Sequence, residues 1–393
     1  MVSRLPREEE ARRRYGRRMG VSSSVLDVTT MRSRLDRLRR HAADAGVAAT
    51  VVSPGSDLRY LTGIAGSSFE RLTALVVPTG AAVAPVFVSP ALEYAGLGHV
   101  PLGELGIEVR TWVDGEDPYA LALGGVPGGR VAVSDMTPAL HLLRLRDAGA
   151  PDQQLAGPVL RELRMRKDAS ELAELRAAGA AIDRVHARVG EWLRAGRTEA
   201  AVAADIAAAI VEEGHARADF VIVGAGPNGA SPHHSVSDRV IEDGDVVVVD
   251  IGGPLPSGYG SDSTRTYAVG SPREPDVASA YAALQAAQQA SVESVRPGTT
   301  CEAIDRAARD VLAEAGLAEH FIHRTGHGIG LDGHEEPYIV AGNDLPVEAG
   351  MTFSIEPGVY LAGRWGARIE DIVAVTEDGV ERFNTRPTDL VVL

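Results

Sequence analysis

The feature that most constrains this chain is an aspartate at the end of an apolar run, in the stretch DVVVVDIGG that covers residues 245–253. Four consecutive valines indicate a buried β-strand, where aspartate is disfavoured and costly to bury without a partner. Asp262 follows twelve residues after Asp250, at the start of a second strand in GYGSDSTRTYAV. The turn-rich segment between them predicts a β-hairpin. We therefore expect the two carboxylates to meet, and neighbouring buried carboxylates need a proton or a cation between them.

Two glutamates repeat this pattern further along the chain. Glu356 lies in the apolar segment FSIEPGVY, and Glu370 lies in the next one, ARIEDIVAV. Any one of these acids alone is explained equally well by a structural ion pair, for example one between a strand aspartate and Arg265. Four acids in four β segments are better explained by a metal site, because hard cations such as Mn²⁺ and Mg²⁺ prefer oxygen ligands.

Histidines that could complete such a site come from two stretches. HFIHRTGHGIGLDGHEEPYI, residues 320–339, holds four of the eleven histidines, and SPHHSVSD, residues 231–238, holds two more. These are His233, His234, His320, His323, His327 and His334. Four carboxylates and one imidazole suit a two-metal site, and an imidazole favours Mn, Fe, Co or Zn. The residue pattern alone leaves open which imidazole binds metal.

The length of the chain, 393 residues, predicts two domains. Residues 1–30 are dense in charge and poor in apolar residues, which predicts an N-terminal extension that is disordered or loosely helical. Translation that begins at Met19 or Met31 is an alternative explanation of this segment.

Two segments of different character follow the extension. Over residues 31–160, strands alternate with helices, which predicts an α/β layer structure. A helix capped by Asp168 or Ser170 then opens a β-rich segment over residues 161–393. Within that segment, one long helical stretch at about residues 276–315 is expected to separate the strands.

Charge, hydropathy and cysteine content exclude several classes of protein. The net charge of −15 argues against a nucleic-acid partner. No apolar run is long enough to span a bilayer and no secretory signal is present, so we expect no membrane partner. The only cysteine, Cys301, rules out an internal disulfide and is expected to be a small buried residue. It also fits a reducing compartment, so we expect a cytoplasmic protein.

Five motifs occur in the order VVVDIGG, SDSTRTY, HRTGHGIGLDGHEEP, SIEPGVY and RIEDIV. This order resembles that of the pita-bread metallopeptidases, peptidase family M24, and the chain looks like an Xaa-Pro dipeptidase (prolidase) or Xaa-Pro aminopeptidase of that family. The resemblance covers the chain from about residue 31 to its end, more loosely over residues 31–155. It implies an α+β protein with a pita-bread (creatinase/aminopeptidase-like) catalytic domain over residues 161–393. A smaller α/β domain of the creatinase type is implied over residues 31–160.

The resemblance also implies roles for individual residues. The positions that match the five metal ligands are Asp250, Asp262, His327, Glu356 and Glu370. Among them, Asp262 and Glu370 match the pair that bridges two metals. Glu356 is additionally expected to carry a proton from water to the leaving nitrogen.

The resemblance places other residues around the substrate. His233 and His334 match histidines of the substrate pocket, and Arg368 matches an arginine near the site. His320 and His323 are expected to pack or hydrogen-bond near the entrance, and the role of His234 is open. One departure is visible, because the loop between the two aspartates is one residue longer than the common pattern. We expect this to change the rim of the site and to leave the ligands intact.

The implied activity is hydrolysis of Xaa-Pro bonds by a hydroxide that bridges two divalent ions. Mn²⁺ is the first choice of ion, with Co²⁺, Zn²⁺ and Fe²⁺ as alternatives. Short proline-containing peptides are the expected partners, and the resemblance implies a homodimer. Two other functions remain open: a creatinase-like C–N hydrolase and a non-catalytic binding protein. Both predict lost ligand carboxylates, whereas all five matching positions are filled here.

Overall fold

The computed structural model describes residues 27–66, 70–97 and 100–393. The described chain divides into two compact units between Arg164 and Met165. Most of the extension that we predicted to be disordered or loosely helical, residues 1–30, lies outside the described residues. In its last residues the first helix, α1 (Val28–Asp44), already begins. It does so because the side chain of Asp27 caps the helix, accepting a hydrogen bond from the amide of Thr30 at 3.0 Å.

The N-terminal unit contains a six-stranded mixed sheet. Its strands are β1 (Ala49–Val52), β2 (Ala74–Pro78), β3 (Val86–Pro90), β4 (Glu108–Trp112), β5 (Val131–Val133) and β6 (Gln153–Leu155). They lie in the order β4-β3-β2-β1-β5-β6, and β1 pairs antiparallel with β2 and parallel with β5. Every residue of β1, β2 and β3 is buried, which is typical of strands covered on both faces.

Helices of the N-terminal unit alternate with these strands, as the pattern predicted. After α1 they are α2 (Ser56–Thr62), α3 (Ala91–Tyr94), α4 (Pro118–Leu123), α5 (Ala139–Asp147) and α6 (Gly157–Arg164). On α1, the residues at helical spacing, Leu35, Leu38 and Ala42, are all buried. This unit is therefore the small α/β domain expected from the sequence.

The C-terminal unit opens with two helices, α7 (Ala169–Arg188) and α8 (Glu199–Glu212). The carboxylate of Asp168 caps α7 and forms a capping box with Glu171, because each side chain accepts a hydrogen bond from the backbone amide of the other. Thr198 caps α8. The long helical stretch predicted over residues 276–315 is wrong in one respect, because it consists of two helices, α9 (Val277–Ser294) and α10 (Cys301–Glu314).

The break between α9 and α10 has a local cause. Pro297 lacks the amide hydrogen that a continuing helix needs and disfavours helical geometry in the residue before it. Gly298 follows with φ at 89°, a conformation open to glycine. Thr300 then caps α10, and Cys301 lies buried in its first turn, as expected.

The remaining strands of the C-terminal unit form three sheets. They are β7 (Phe220–Ala225), β8 (Val246–Pro254), β9 (Gly260–Ala268), β10 (Gly326–Gly328), β11 (Glu335–Ile339), β12 (Thr352–Ile355), β13 (Gly358–Leu361), β14 (Trp365–Arg368), β15 (Asp371–Val375), β16 (Val380–Arg382) and β17 (Val391–Val392). One sheet has the order β17-β9-β8-β7, a second the order β11-β10-β12-β15-β16, and β13 pairs with β14. The unit is therefore α+β, in agreement with the fold expected from the motifs.

The hairpin of β8 and β9 forms as predicted and fixes the register of the first two acids. In this antiparallel pair, Asp250 lies opposite Thr264 and Asp262 lies opposite Gly252. Side chains alternate between the two faces of a sheet, so the two aspartates share a face as diagonal neighbours. Within the described ranges, no helix has both the length and the apolar character that crossing a membrane requires.

Candidate metal centre

The two aspartates of the hairpin lie buried on one face of the sheet. Asp250, in the valine-rich strand β8, is 7% exposed, and Asp262, in β9, is 5% exposed. Among the described residues, Oδ1 of Asp250 has no hydrogen-bond donor. Burial of a charged oxygen without a partner is costly, so this atom is suited to a ligand that the protein itself does not provide.

Glu370 joins the aspartates from a neighbouring segment. It lies between β14 and β15, where its amide donates to the carbonyl of Thr264 at 3.1 Å. Thr264 in turn donates its hydroxyl to Oε2 of Glu370 at 2.8 Å, while Oε1 is buried and has no donor in the described part of the chain. Oxygen atoms of Asp250, Asp262 and Glu370 all lie within 4.8 Å of one another.

His327 and Glu356 complete the cluster. The Nε2 atom of His327 lies 3.3 Å from Oε1 of Glu356 and 3.6 Å from Oδ2 of Asp262. The Nδ1 atom lies 3.1 Å from the carbonyl of Gly328, to which it donates its hydrogen. This bond leaves Nε2 with its lone pair directed at the carboxylates, the tautomer that a metal ligand needs.

Glu356 is positioned by the end of a strand. It follows β12 directly, and its amide donates to the carbonyl of Thr325 at 2.7 Å. Ser354 donates its hydroxyl to Oε1 of Glu356 at 3.1 Å and accepts the amide of His327 at 3.0 Å. One serine therefore links the imidazole and the carboxylate of the cluster.

Burial and mutual repulsion shift the pKa values of the cluster in one direction. Burial first, and then the charge of Asp250, raise the pKa of Asp262 well above its usual value. Burial and the charge of Asp262 do the same to the pKa of Glu370. Burial raises the pKa of Glu356 to about 7, whereas it lowers that of His327 to about 3. The site thus holds more carboxylates than the protein's own cations neutralise, which suits divalent cations.

Arg368 is the guanidinium that contacts this cluster. It is 3% exposed, and its Nη2 atom lies 2.6 Å from Oδ2 of Asp250. It also donates to the hydroxyls of Tyr360 at 2.8 Å and Thr264 at 3.1 Å. Arg265, the alternative partner considered for a strand aspartate, instead pairs with Asp371 at 2.6 Å.

A cavity of about 900 Å³ opens onto the cluster. All five residues that match metal ligands line it, as do His233, His334 and Arg368. The other lining residues are Phe220, Ile222, Ser231, Pro232, Ile322, His323 and Arg324. The ring centroid of His334 lies 4.0 Å from that of His327, and His334 also lies within 4.8 Å of Asp262. The ring of His334 therefore lies next to the cluster of candidate ligands.

The remaining histidines separate into different environments. The Nε2 atom of His323 accepts a hydrogen bond from Tyr360 at 2.9 Å, and its Nδ1 atom donates to the carbonyl of Arg324. His320 lies 3.9 Å from Glu319 and does not line the cavity. His234 donates from Nε2 to the carboxylate of Glu199 at 2.7 Å.

Glu199 is a residue that the sequence analysis missed. Its side chain is fully buried and accepts hydrogen bonds from the end of β7 and from the loop that follows it. The donors are the amide of Ala225 at 2.8 Å, Nδ2 of Asn228 at 3.0 Å, Nε2 of His234 at 2.7 Å, and the amide and Oγ of Ser237 at 3.2 Å and 2.7 Å. Burial opposes ionisation, but these hydrogen bonds hold the pKa of Glu199 below its usual value. Nothing in the sequence separates Glu199 from an ordinary first-turn glutamate of α8.

Lys167 was also missed, although the sequence carries a signal for it. It is the only lysine in a chain whose basic residues are otherwise arginines. Its ammonium lies 2.7 Å from Oε1 of Glu335, and the two side chains are 1% and 9% exposed. Glu335 follows His334 directly, so this buried ion pair holds the segment that carries a cavity histidine.

Comparison with known proteins is consistent with this arrangement. The family model for metallopeptidase family M24 matches residues 173–377, and that for the creatinase/prolidase N-terminal domain matches residues 34–166. A protein of Mycobacterium tuberculosis named probable dipeptidase PepE is 59% identical over 95% of this chain and 99% of its own length. The Xaa-Pro dipeptidase of Lactobacillus helveticus is 35% identical over 91% of this chain and 98% of its own.

Solved structures agree with the sequence comparison. The crystal structure of dipeptidase PepE from Mycobacterium ulcerans superposes with a TM-score of 0.88 at 59% identity, over 93% of this chain and 98% of that one. The prolidase of Thermococcus sibiricus gives a TM-score of 0.84 at 36% identity, over 92% and 98% of the two chains. Since a family model covers more than half of the chain and these relatives align over nearly all of it, the chain belongs to metallopeptidase family M24 and carries the creatinase/prolidase type of N-terminal domain.

Proposed function

We propose that this protein is a metal-dependent exopeptidase that hydrolyses Xaa-Pro dipeptides. The observation that carries the proposal is the cluster of four carboxylates and one imidazole in the wall of a cavity, with two buried oxygens that lack donors among the described residues. The names of the relatives, dipeptidase and Xaa-Pro dipeptidase, support the same activity. A creatinase-like or non-catalytic function is not favoured, because every ligand position is filled.

The donor set fits two divalent ions. Asp250, Asp262, His327, Glu356 and Glu370 would hold them, and the mixture of oxygens with one nitrogen favours Mn²⁺, with Co²⁺, Zn²⁺ and Fe²⁺ as alternatives. Such ions, when bound, polarise the scissile carbonyl and lower the pKa of water.

The side chains of the cavity supply the proton transfers. The Glu356 carboxylate would accept a proton from water and deliver it to the leaving nitrogen. That nitrogen belongs to a tertiary amide in an Xaa-Pro bond, so it must be protonated as it departs. His233 and His334, which line the cavity, would donate hydrogen bonds to the oxyanion that develops on the carbonyl. Arg368 holds Asp250 in position through their ion pair.

The apolar part of the cavity suits the proline ring. Phe220, Ile222, Pro232 and Ile322 line it beside the polar cluster. A ring without an amide hydrogen loses no hydrogen bond in such surroundings, whereas a polar side chain would.

We further propose that the protein is a cytoplasmic homodimer. Large apolar side chains are exposed on the N-terminal unit, among them Met136 at 91% and Leu155 at 60%, and a second copy could cover them. The single buried thiol, Cys301, fits a reducing compartment. Light scattering on the purified protein tests the dimer, which a monomer mass would contradict.

A metal-addition assay tests the activity. Chelated protein is expected to be inactive and to recover hydrolysis of Ala-Pro when Mn²⁺ is added, with Co²⁺, Zn²⁺ and Fe²⁺ compared in parallel. Metal content is measured on the same samples, and two ions per chain are expected. The proposal is wrong if a metal-free preparation keeps full activity, or if the metal-loaded protein cleaves neither Ala-Pro nor Ala-Pro-Ala.

A further inference from the structure

Glu199 is a buried charge for which the proposed chemistry has no use. Its side chain is 0% exposed and does not line the cavity, yet it accepts hydrogen bonds from residues between Ala225 and Ser237. Burying a carboxylate costs more free energy than burying an apolar side chain of similar size, so stability alone does not favour a glutamate here. A carboxylate adds direction, because each of its hydrogen bonds fixes the donor at a defined place.

This carboxylate ties the two ends of one segment together. The amide of Ala225 donates to Oε1 of Glu199 at 2.8 Å, and the amide and hydroxyl of Ser237 donate to Oε2 at 3.2 Å and 2.7 Å. Glu199 is the first residue of α8, a helix whose apolar face is buried in the core. The segment 225–237 is therefore closed onto a packed helix, which removes backbone freedom from the residues between the two attachment points.

His233 depends on this closure for its position. It lies inside the segment, is exposed and lines the cavity, and in the described part of the chain its imidazole forms no hydrogen bond or ion pair. Since no such bond orients the ring, its backbone sets where it lies in the cavity. The next residue, His234, donates from Nε2 to Glu199 at 2.7 Å. The bond of one histidine thus fixes the backbone that carries the other.

The peptide on the other side of His233 is held from the cavity. Nη1 of Arg368 donates to the carbonyl of Pro232 at 3.4 Å, and Nη2 of the same guanidinium lies 2.6 Å from Oδ2 of Asp250. Glu199 and Arg368 therefore hold the backbone on either side of His233. The first connects it to α8, and the second connects it to the candidate metal centre.

We infer that Glu199 is a positioning residue that holds the imidazole of His233 in place for the carbonyl of the substrate. This inference rests on the proposed exopeptidase function and adds a residue, outside the cavity, on which one of its oxyanion donors depends. Such a donor acts in the transition state, so its displacement should lower kcat and leave KM little changed. A displacement of about 1 Å can cost roughly a hundredfold in rate.

A double-mutant cycle tests this dependence. Wild-type protein, Glu199→Gln, His233→Ala and the double variant are loaded with Mn²⁺ and assayed on Ala-Pro, and metal content and urea denaturation are measured for each. Glutamine keeps the shape of Glu199 but presents an amide group where donors of the loop need an acceptor, so it releases the loop without creating a cavity. Asp183→Asn is the matched control, because Asp183 is a buried carboxylate that holds residues 384–386 and does not line the cavity.

Glu199→Gln is expected to lower kcat roughly ten- to a hundredfold and to keep its bound metal. In the His233→Ala background, the same change should lower kcat by no more than about twofold, because the residue that Glu199 positions is already absent. Asp183→Asn should lose stability too, but any effect on kcat should be the same with and without His233.

Hydrogen exchange on chelated protein gives a readout that is independent of activity. The amides of residues 225–237 should exchange faster in Glu199→Gln than in the wild-type protein, because the segment is no longer closed onto α8. Asp183→Asn should leave the exchange of this segment unchanged. Equal exchange in Glu199→Gln and the wild-type protein would contradict the inference.

The kinetic outcomes that overturn the inference are distinguishable. If Glu199→Gln leaves kcat unchanged, or lowers it by the same factor with and without His233, Glu199 does not act through His233. If Glu199→Gln loses metal, it acts through the metal centre. If His233→Ala keeps the wild-type kcat, there is no oxyanion donor for Glu199 to position.

Two further results are decisive in other ways. If Glu199→Gln fails to fold, Ser237→Ala, which removes one donor of the same carboxylate, takes its place in the cycle. Equal effects of Ser237→Ala with and without His233 then contradict the inference. If the metal-loaded wild-type protein cleaves neither Ala-Pro nor Ala-Pro-Ala, the proposed function itself is wrong.

Discussion

At the scale of single residues, His327 and His334 have adjacent rings and different expected roles. Both lie within 4.8 Å of Asp262, so proximity alone does not separate a ligand from a substrate contact. The surroundings do, because His327 is buried with its Nδ1 bonded to Gly328, whereas His334 is exposed to the cavity.

The two histidines should therefore respond differently to substitution. His327→Ala is expected to lose bound metal, because it removes the nitrogen donor of the cluster. His334→Ala is expected to keep metal and to lose about a hundredfold or more in kcat, the cost typical of a lost oxyanion donor. Metal analysis and kinetics on both variants check this. If His334→Ala loses metal as His327→Ala does, His334 is a ligand.

At the scale of elements, one buried glutamate holds the loop that follows β7 through hydrogen bonds. Glu199, at the start of α8, accepts hydrogen bonds from the last residue of β7 and from three residues of this loop, which carries both His233 and His234. His233 lines the cavity, whereas His234 bonds Glu199. The two adjacent histidines thus divide into one that lines the cavity and one whose side chain bonds a buried carboxylate.

Substitution of each histidine tests this division. His234→Ala leaves a buried carboxylate with one donor fewer and should destabilise the protein by about 1–3 kcal/mol. His233→Ala should change stability by no more than about 0.5 kcal/mol, because the side chain is exposed, and should lower kcat. Urea denaturation and kinetics on the metal-loaded protein provide the measurement. Equal losses of stability in the two variants would contradict the different positions assigned to His233 and His234.

The elements also show what the sequence could and could not predict. Asp250, Asp262 and their hairpin were predictable, because a carboxylate in an apolar strand is a local signal. The break at Pro297 was present in the sequence and was overlooked, because helical spacing continues on either side of it. Glu199 was not predictable, because its importance arises from donors that lie 26 to 38 residues away in the chain.

Strand register explains why Arg265 was the wrong partner to consider. Residues of even number in β9 face the cluster, so Arg265 extends from the opposite face and pairs with Asp371. The adjacent residues Glu370 and Asp371 contact opposite faces of β9. Glu370 accepts a hydrogen bond from Thr264, and Asp371 accepts one from Arg265. Such a division follows from the two-residue period of strands once the pairing is known.

At the scale of the whole molecule, the acids of the candidate metal centre make stability depend on pH when metal is absent. The pKa values of Asp262 and Glu370 are raised well above normal, and that of Glu356 is raised to about 7. The folded state therefore binds protons that the unfolded state has released, and stability falls as pH rises. Histidines with lowered pKa act in the opposite direction, but only below about pH 6.5, where the unfolded state takes up protons.

Between pH 7 and pH 8.5, the acids should make the largest contribution to the pH dependence of stability. Chelated protein is expected to lose up to about 1.4 kcal/mol of unfolding free energy per pH unit for each carboxyl that stays protonated in the folded state. Added Mn²⁺ should stabilise the protein more at pH 8.5 than at pH 7, because protons compete with the metal. Thermal denaturation of chelated and metal-loaded protein at each pH measures both effects. Glu370→Gln should flatten the pH dependence of the chelated protein, and an unchanged slope would contradict this explanation.

The buried ion pair of Lys167 and Glu335 gives the molecule one further property. Because Lys167 is the only lysine, the N-terminal amine is the other primary amine of the chain. In the folded protein, an amine-acylating reagent should leave Lys167 unmodified, since its side chain is 1% exposed. Mass spectrometry should detect acylation of Lys167 only when the segment next to His334 detaches or the unit unfolds. The chain therefore carries a single-site chemical reporter of the opening of its own cavity wall, without any engineered label.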